Sequence, residues 1–458
     1  VERASTRWGA LFFVLLILIG VPHAAVAAPA DVIDVPDPVL RGCINGSQTH
    51  GQDQDVTRGR IEGLTALDCD GHETPRDLTG LQHAQNLISL ELRSTELNDL
   101  APIAELESLK NLTLSEVTSD TLAGMPNLPQ LEELTIAYSS IADLDVLPQL
   151  PNLTNLGIRG HRGALNPSGL DRFSLTSLTV TRSEFTDLES LPYLPNLETL
   201  NLQQNDITDA SSLARFEALE ALNLSENVDL KLASVPALSK LNSLYLNYND
   251  LSDLSDLEGF EQLTFLGLSS NEFTQFPNLD GFARLEYLDV SRNRILDLTP
   301  ATQYPRVTNI FAVDQYINLP DITDGTTEPN PLRQIDGSPL SFQFAWLAHG
   351  PDKPEGELCV DEGCSELYFS GNNDIYDWEF DSTEVIDGVD VAFSGTISRY
   401  VAAEESSTAP LGEAASEPQA RADEDRGGLV WMLGAVGAGL LVLVGGGFLL
   451  ARRGRDGG

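Results

Sequence analysis

The stretch Leu241–Gln262, LNSLYLNYNDLSDLSDLEGFEQ, decides the fold. Leu241, Leu244 and Leu246 follow the pattern L-x-x-L-x-L. The alternation at Leu244 and Leu246 puts both side chains on one face of a short strand. Leu251, Leu254, Leu257 and Phe260 then continue inward around the rest of a coil. The same spacing recurs on both sides of this stretch. Its anchors are Leu87, Leu109, Leu131, Leu153, Leu175, Leu197, Leu219, Leu241, Leu263, Leu285 and Val307, each 22 residues after the last. One coil cannot bury its apolar face alone, so neighbours must stack.

A fixed period of this length with this leucine pattern predicts an α/β-type leucine-rich repeat solenoid. Parallel strands, about 4.8 Å apart, would line a concave face roughly 50 Å long. The convex side would be 3₁₀ or irregular. The ninth position of each coil favours asparagine, whose amide satisfies backbone groups turned inward. Asn205, Asn227, Asn249, Asn271 and Asn293 obey this, whereas Thr95, Val117, Ser139, His161 and Ser183 do not. A less regular first half of the ladder is the expectation, with His161 structural. Asp99, Asp143, Asp187, Asp209, Asp253 and Asp297 recur four residues further on. They read as caps of a short convex turn. The calcium-loop pattern D-x-[DN]-x-[DN]-G is absent, so a calcium site is not expected.

Both ends suggest targeting. Residues 1–27 read as a signal peptide: Arg3 and Arg7, an apolar run from Trp8 to Gly20, and the small-x-small site Ala25-Val26-Ala27. Val1 reads as a non-AUG start and so suggests a bacterial source. Residues 429–451, with the uncharged run Leu429–Leu450, are long enough to span hydrocarbon as one helix. Arg452, Arg453 and Arg455 in the basic tail 452–458 would then stay cytoplasmic. Residues 403–428 have the composition of a disordered linker. The expected localisation is an exported single-pass membrane protein with its N-terminal bulk outside the cytoplasm, its C-terminal tail open to trimming.

The formal charge of −42 argues against nucleic acid, which needs a basic face. Four cysteines in an exported chain predict disulfides. Cys43 and Cys69 flank the start of the first coil and would staple a cap over residues 28–80. Cys359 and Cys364 would pin a hairpin. A zinc site is not expected, because no histidine lies nearby. No G-x-S-x-G, H-E-x-x-H or P-loop occurs, so neither catalysis nor a cofactor is expected.

Concave positions are the third, fifth, seventh and eighth of each coil. In later coils they hold Tyr245, Tyr248, Phe265, Tyr287 and Phe311, a candidate ligand-binding patch. Early coils carry Ser89, Thr113, Thr135, Gly157 and Thr179 instead. A secondary basic patch would comprise Arg159, His161, Arg162 and Arg182, either an anion site or one neutralised by neighbouring carboxylates.

The segment VPDPVLRGCINGS from Val35 resembles the N-terminal cap of bacterial internalin-type proteins. The Asp-Leu-x-x-Leu turns resemble internalin repeats. FAVDQYINLP and NPLRQIDGSP, between Phe311 and Pro339, are similar to the junction where those proteins enter an immunoglobulin-like domain, and Trp378 with VDVAFSGTI from Val389 to Ile397 resembles the tail of that domain. The resemblance covers roughly residues 35–402. It implies a repeat array over 81–319, an immunoglobulin-like β-sandwich over 320–402, and a non-catalytic, adhesin-like surface protein. The partner would be a protein or a surface glycan. The alternatives are an envelope polymer-binding structural protein or a co-receptor acting with a signalling partner. No L-P-x-T-G sorting motif is present.

Overall fold

The computed structural model describes residues 31–402, apart from 47–53, 70–73, 94–95, 98, 324–325, 341, 348–358, 360–363, 370–373 and 387–388. The expected signal peptide, linker, apolar run Leu429–Leu450 and basic tail therefore lie outside the described residues, as does Thr95. The expected localisation is corrected: among the described residues no helix is long and apolar enough to cross a membrane. The longest α-helix there, Pro38–Ile44, has 7 residues, whereas a span needs about 20 apolar residues in one helix.

Among the described residues a sixteen-stranded sheet runs through the molecule. Its repeat strands are parallel and in register at the coil period: Leu90 pairs with Leu112, Leu112 with Leu134 and Leu134 with Leu156. Leu222, Leu244, Leu266, Leu288 and Ile310 continue the row. These side chains are almost fully buried and form one continuous core with the convex leucines. The fold is a leucine-rich repeat solenoid with 3₁₀ turns opposite the sheet.

All six period-matched aspartates cap these turns. Asp99, Asp143, Asp209, Asp253 and Asp297 each accept from the amide two residues on, at 2.7–2.9 Å. Asp187 accepts from both Glu189 and Ser190. The Ser255 hydroxyl, then its amide, hold the Asp253 carboxyl below the usual carboxylate range. Such a cap is complete above the ordinary Asp range and weakens as pH falls through the lowered value.

The asparagine ladder at position nine is confined to the later coils, as expected, and strand length runs the other way. The first half is the more regular sheet, with strands of 5 residues such as Asn155–Arg159. Strands in the second half shrink to 3, as at Ala221–Asn223. The asparagine amides are the reason. Asn227 Nδ2 donates to Leu202, Leu224 and Ser225 carbonyls, and its Oδ1 accepts from Ile207 N. In the first half Ser139 and Ser183 make shorter reaches, to the Ala137 and Thr181 carbonyls, so the strands run on.

Two arginines that periodicity does not mark lock adjacent coils on the convex side. Arg172 Nη2 donates to the Leu144 and Leu147 carbonyls. Arg215 Nη2 does the same to Leu188 and Leu191, both at 2.7 Å. Each guanidinium also sits over the following phenylalanine ring, Phe173 or Phe216. Arg215→Met keeps the apolar stem and loses the donors. It should lower stability by about 1–2 kcal/mol in urea titration, and an unchanged midpoint would show the staple to be idle.

The N-terminal end is covered by the helix Pro38–Ile44. Asp37 caps it, accepting from Val39 and Leu40 amides, while its other oxygen accepts from Arg76 and Asp77 of the first coil. A disulfide joins Cys43 to Cys69, and another joins Cys359 to Cys364.

The far end closes by a different route. The last repeat strand, Asn309–Asn318, pairs in parallel with Val389–Ala402. That strand pairs antiparallel with Asp374–Ile386, which pairs with Phe342–Leu347. The convex side of the same end is covered by the segment around Arg333, whose amide and carbonyl bond Leu296 and Leu298. A two-stranded sheet, Thr326–Pro329 with Glu366–Phe369, lies off this path. The repeat sheet thus continues unbroken beyond residue 320, and among the described residues no separate immunoglobulin-like sandwich is defined. Trp378 lies on Asp374–Ile386, its side chain outside the described residues.

Candidate binding surface

In-register parallel pairing lines up like positions of successive coils. Position five therefore carries Tyr245, Gly267, Asp289 and Phe311 in one row, and position three carries Ser243, Phe265, Tyr287 and Asn309 in the next. Both rows point away from the core, because positions four and six between them are buried.

Four of the five expected aromatics lie in these two rows. Tyr245 and Phe265 are half-buried, with ring centroids 4.8 Å apart and tilted by 36°. The Phe265 ring leans over Gly267: a Cβ there would sit 3.4 Å from its Cε1. Burial pushes the Tyr245 hydroxyl up from its ordinary range, so it stays a neutral donor. Tyr287 and Phe311 are 42% and 46% exposed. Large apolar side chains this open, beside a packed aromatic pair, have the composition of a contact surface.

Tyr248 is placed differently. It occupies position eight with φ +57, which swings its side chain out along the sheet edge. Its hydroxyl accepts from Arg292 Nη1 at 3.0 Å, two coils away. The Arg292 guanidinium also donates through Nε to Asp314 at 3.4 Å. These bonds, Tyr248 first, raise its already high pKa.

The expected basic patch is split. Arg159, Arg162 and Arg182 are exposed, but His161 is turned inside at position nine and is only 3% exposed. It does not belong to a surface patch. Its Nδ1 lies 3.0 Å from the Ser139 carbonyl and 3.4 Å from Ile141 N. The first of these needs a protonated Nδ1 and the second a bare one, so the tautomer selects one of them. Arg182 Nε donates to Gln204 Oε1, in a shallow hollow that also holds Glu184, Asp206 and Glu226. Three carboxylate residues line the hollow beside this arginine.

Sequence reading missed Tyr138 and Tyr316, both 54% exposed. It also missed Arg292. The position-eight row contains Tyr138 and Arg292 and was readable, had it been followed across coils instead of searched for aromatics in the later ones.

No family model and no curated protein matches the chain. Solved structures do. The structural neighbours are Listeria internalins and internalin-like proteins. One is an internalin, inlF, from Listeria monocytogenes, at 26% identity over 62% of this chain and 84% of that one, with a TM-score of 0.47. A second is the functional domain of InlJ from the same organism, which includes a cysteine ladder, at 17% identity, 80% and 97% coverage and a TM-score of 0.38. A third is InlP, also from Listeria monocytogenes, at 15% identity, 81% and 100% coverage and a TM-score of 0.37.

Proposed function

We propose that this chain is a non-catalytic binding protein that engages a folded protein partner, in the manner of an adhesin, through the later half of its concave sheet. Tyr245, Phe265, Tyr287 and Phe311 form the contact. The observation that carries the reading is the pair of exposed rings, Tyr287 and Phe311, beside the packed pair Tyr245–Phe265 on a rigid sheet. Rings fixed by an ordered backbone lose little entropy on binding, so their buried area converts efficiently into affinity. The early coils, with Ser89, Thr113 and Thr135 at like positions, offer no comparable anchor.

In the same reading, residues 28–80 form the cap, 81–319 the array and 320–402 an immunoglobulin-like closing domain. The two-stranded sheet Thr326–Pro329 with Glu366–Phe369 would be its second layer. Its job is to cover the apolar end of the solenoid and stiffen the surface.

Affinity capture with the full chain as bait tests this. A bound protein should lose at least about tenfold in affinity with Tyr287→Ala and Phe311→Ala combined. Tyr193→Ala, at an exposed ring after the convex turn Leu188–Ser190, should change nothing. Equal loss from all three substitutions, or none from the first two, would remove the concave contact.

A further inference from the structure

Position eight has left-handed backbone in ten consecutive coils, from Glu116 to Asp314. Its side chains therefore form a row along one rim of the sheet. The chemistry of that row repeats. Glu116, Tyr138, Gly160, Arg182 and Gln204 are followed, each 110 residues on, by Glu226, Tyr248, Ser270, Arg292 and Asp314. An acid, a tyrosine, a small residue, an arginine and a planar acceptor thus occur twice in the same order.

The arginine contact repeats as well, while the ring and acid contacts differ between the two units. The Tyr138 ring lies on Gly160, where a Cβ would come within 2.7 Å of its Cδ1. Tyr248 passes Ser270 to meet Arg292. Arg182 bonds Gln204, and Arg292 bonds Asp314. Glu116 bonds Arg93 and Glu226 accepts from Gln203. Tyr138 and Tyr248 remain 54% and 45% exposed. Each unit is a ring among planar polar groups: Glu116 and Arg292 are ion-paired with Arg93 and Asp314, and Arg182 and Glu226 bond the neutral amides of Gln204 and Gln203.

We infer that the rim carries two like subsites for a neutral linear polysaccharide. The open ring face suits the C–H face of a sugar. The flanking guanidinium, amide and carboxylates donate to and accept from its hydroxyls. A polyanion would meet the repulsion of a chain with charge −42. Five strand spacings separate the subsites, about 24 Å. One polymer chain reaches both, and the second contact is then intramolecular.

The test is calorimetric titration of the full chain with a soluble linear neutral glucan, mannan and xylan, the corresponding disaccharides, and polygalacturonate. At least one neutral polymer should bind at least about tenfold more tightly than its disaccharide. Tyr138→Ala or Tyr248→Ala should each abolish that advantage and leave disaccharide affinity within about twofold of that seen when one subsite of two remains. The double variant should bind neither. Both rings are exposed, so the thermal midpoint should hold. Three results overturn the inference: no neutral polymer binds, the length advantage survives a single substitution, or polygalacturonate alone binds. The Tyr287→Ala, Phe311→Ala variant should titrate as the unaltered chain does, which keeps a failure here separate from a failure of the concave protein contact.

Discussion

Asn227→Ala should cost this protein about 3 kcal/mol of unfolding free energy or more. The side chain is fully buried and makes four hydrogen bonds, three from Nδ2 to the carbonyls of Leu202, Leu224 and Ser225 and one from Ile207 N to Oδ1. Alanine leaves the buried Ile207 N–H without a partner and takes one donor from each of the three carbonyls, which keep Asn205 Nδ2, Asn249 Nδ2 and Gln204 N respectively. The orphaned amide costs about 1–3 kcal/mol, and each of the three lost carbonyl bonds about 0.5–1.5 kcal/mol. The damage should also spread, because a solenoid's stability is the sum of its coils and the interfaces between them. Asn249 Nδ2 donates to the same Leu224 carbonyl and its Oδ1 accepts from Asn227 N, so the neighbouring rung loses alignment too.

Urea titration followed by circular dichroism measures this, with amide exchange at Ile207 as the local readout. Asn227→Gln should not rescue. A glutamine does fill this role at Gln315, bonding Val290 and Ala312 carbonyls and Ile295 N. It does so where the strand register shifts between Ala312 and Gln315, which makes room for the extra methylene. A loss below about 1 kcal/mol would mean that the ladder is dispensable.

Gly395→Ala should detach the closing strand from the array. Gly395 pairs with Gln315. A Cβ at Gly395 would lie 2.2 Å from the Gln315 carbonyl oxygen and 2.7 Å from its nitrogen. Both are backbone atoms of a paired strand and cannot move aside singly. Relief requires the two strands to separate, which uncovers Ile310, Ala312 and Ile317 on one side and Val391, Phe393 and Ile397 on the other, all buried now. The expected loss is about 2–4 kcal/mol, in the range for steric overpacking of a core. New protease cleavage between residues 319 and 388, at temperatures where the repeats stay folded, would be the direct signature. An unchanged cleavage pattern and melting midpoint would rule out a tight closure.

Much of this was legible in the sequence for a specific reason. Leu244, Leu246, Leu251, Leu254 and Leu257 each do the same job in every coil, so one repeat read correctly describes its neighbours. The capping aspartates share that property: Asp253 bonds an amide two residues away, and nothing distant is needed to foresee it. The expected aromatics at positions three and five followed from strand alternation alone.

Other features depend on residues far apart in the chain. Arg172 and Arg215 bond carbonyls of the coil before, and no local pattern distinguishes them from solvated arginines. His161 looked like a member of a basic patch because Arg159 and Arg162 flank it. Its position in the coil turns it inward, away from both. Tyr248 seemed equivalent to Tyr245, but its left-handed backbone sends it to the rim.

The amino-acid order by itself determined the coil, its period, the inward leucines and the turn caps, because each rests on neighbours within one repeat of 22 residues. Only the folded chain decided how the array ends and how its surface is shared out. The closing strand comes from Val389–Ala402, after an excursion of some 70 residues from Asn318, and the rim rows arise from stacking. Hydrogen bonds and steric contacts between coils set those features, and such contacts exist only once the coils are brought together.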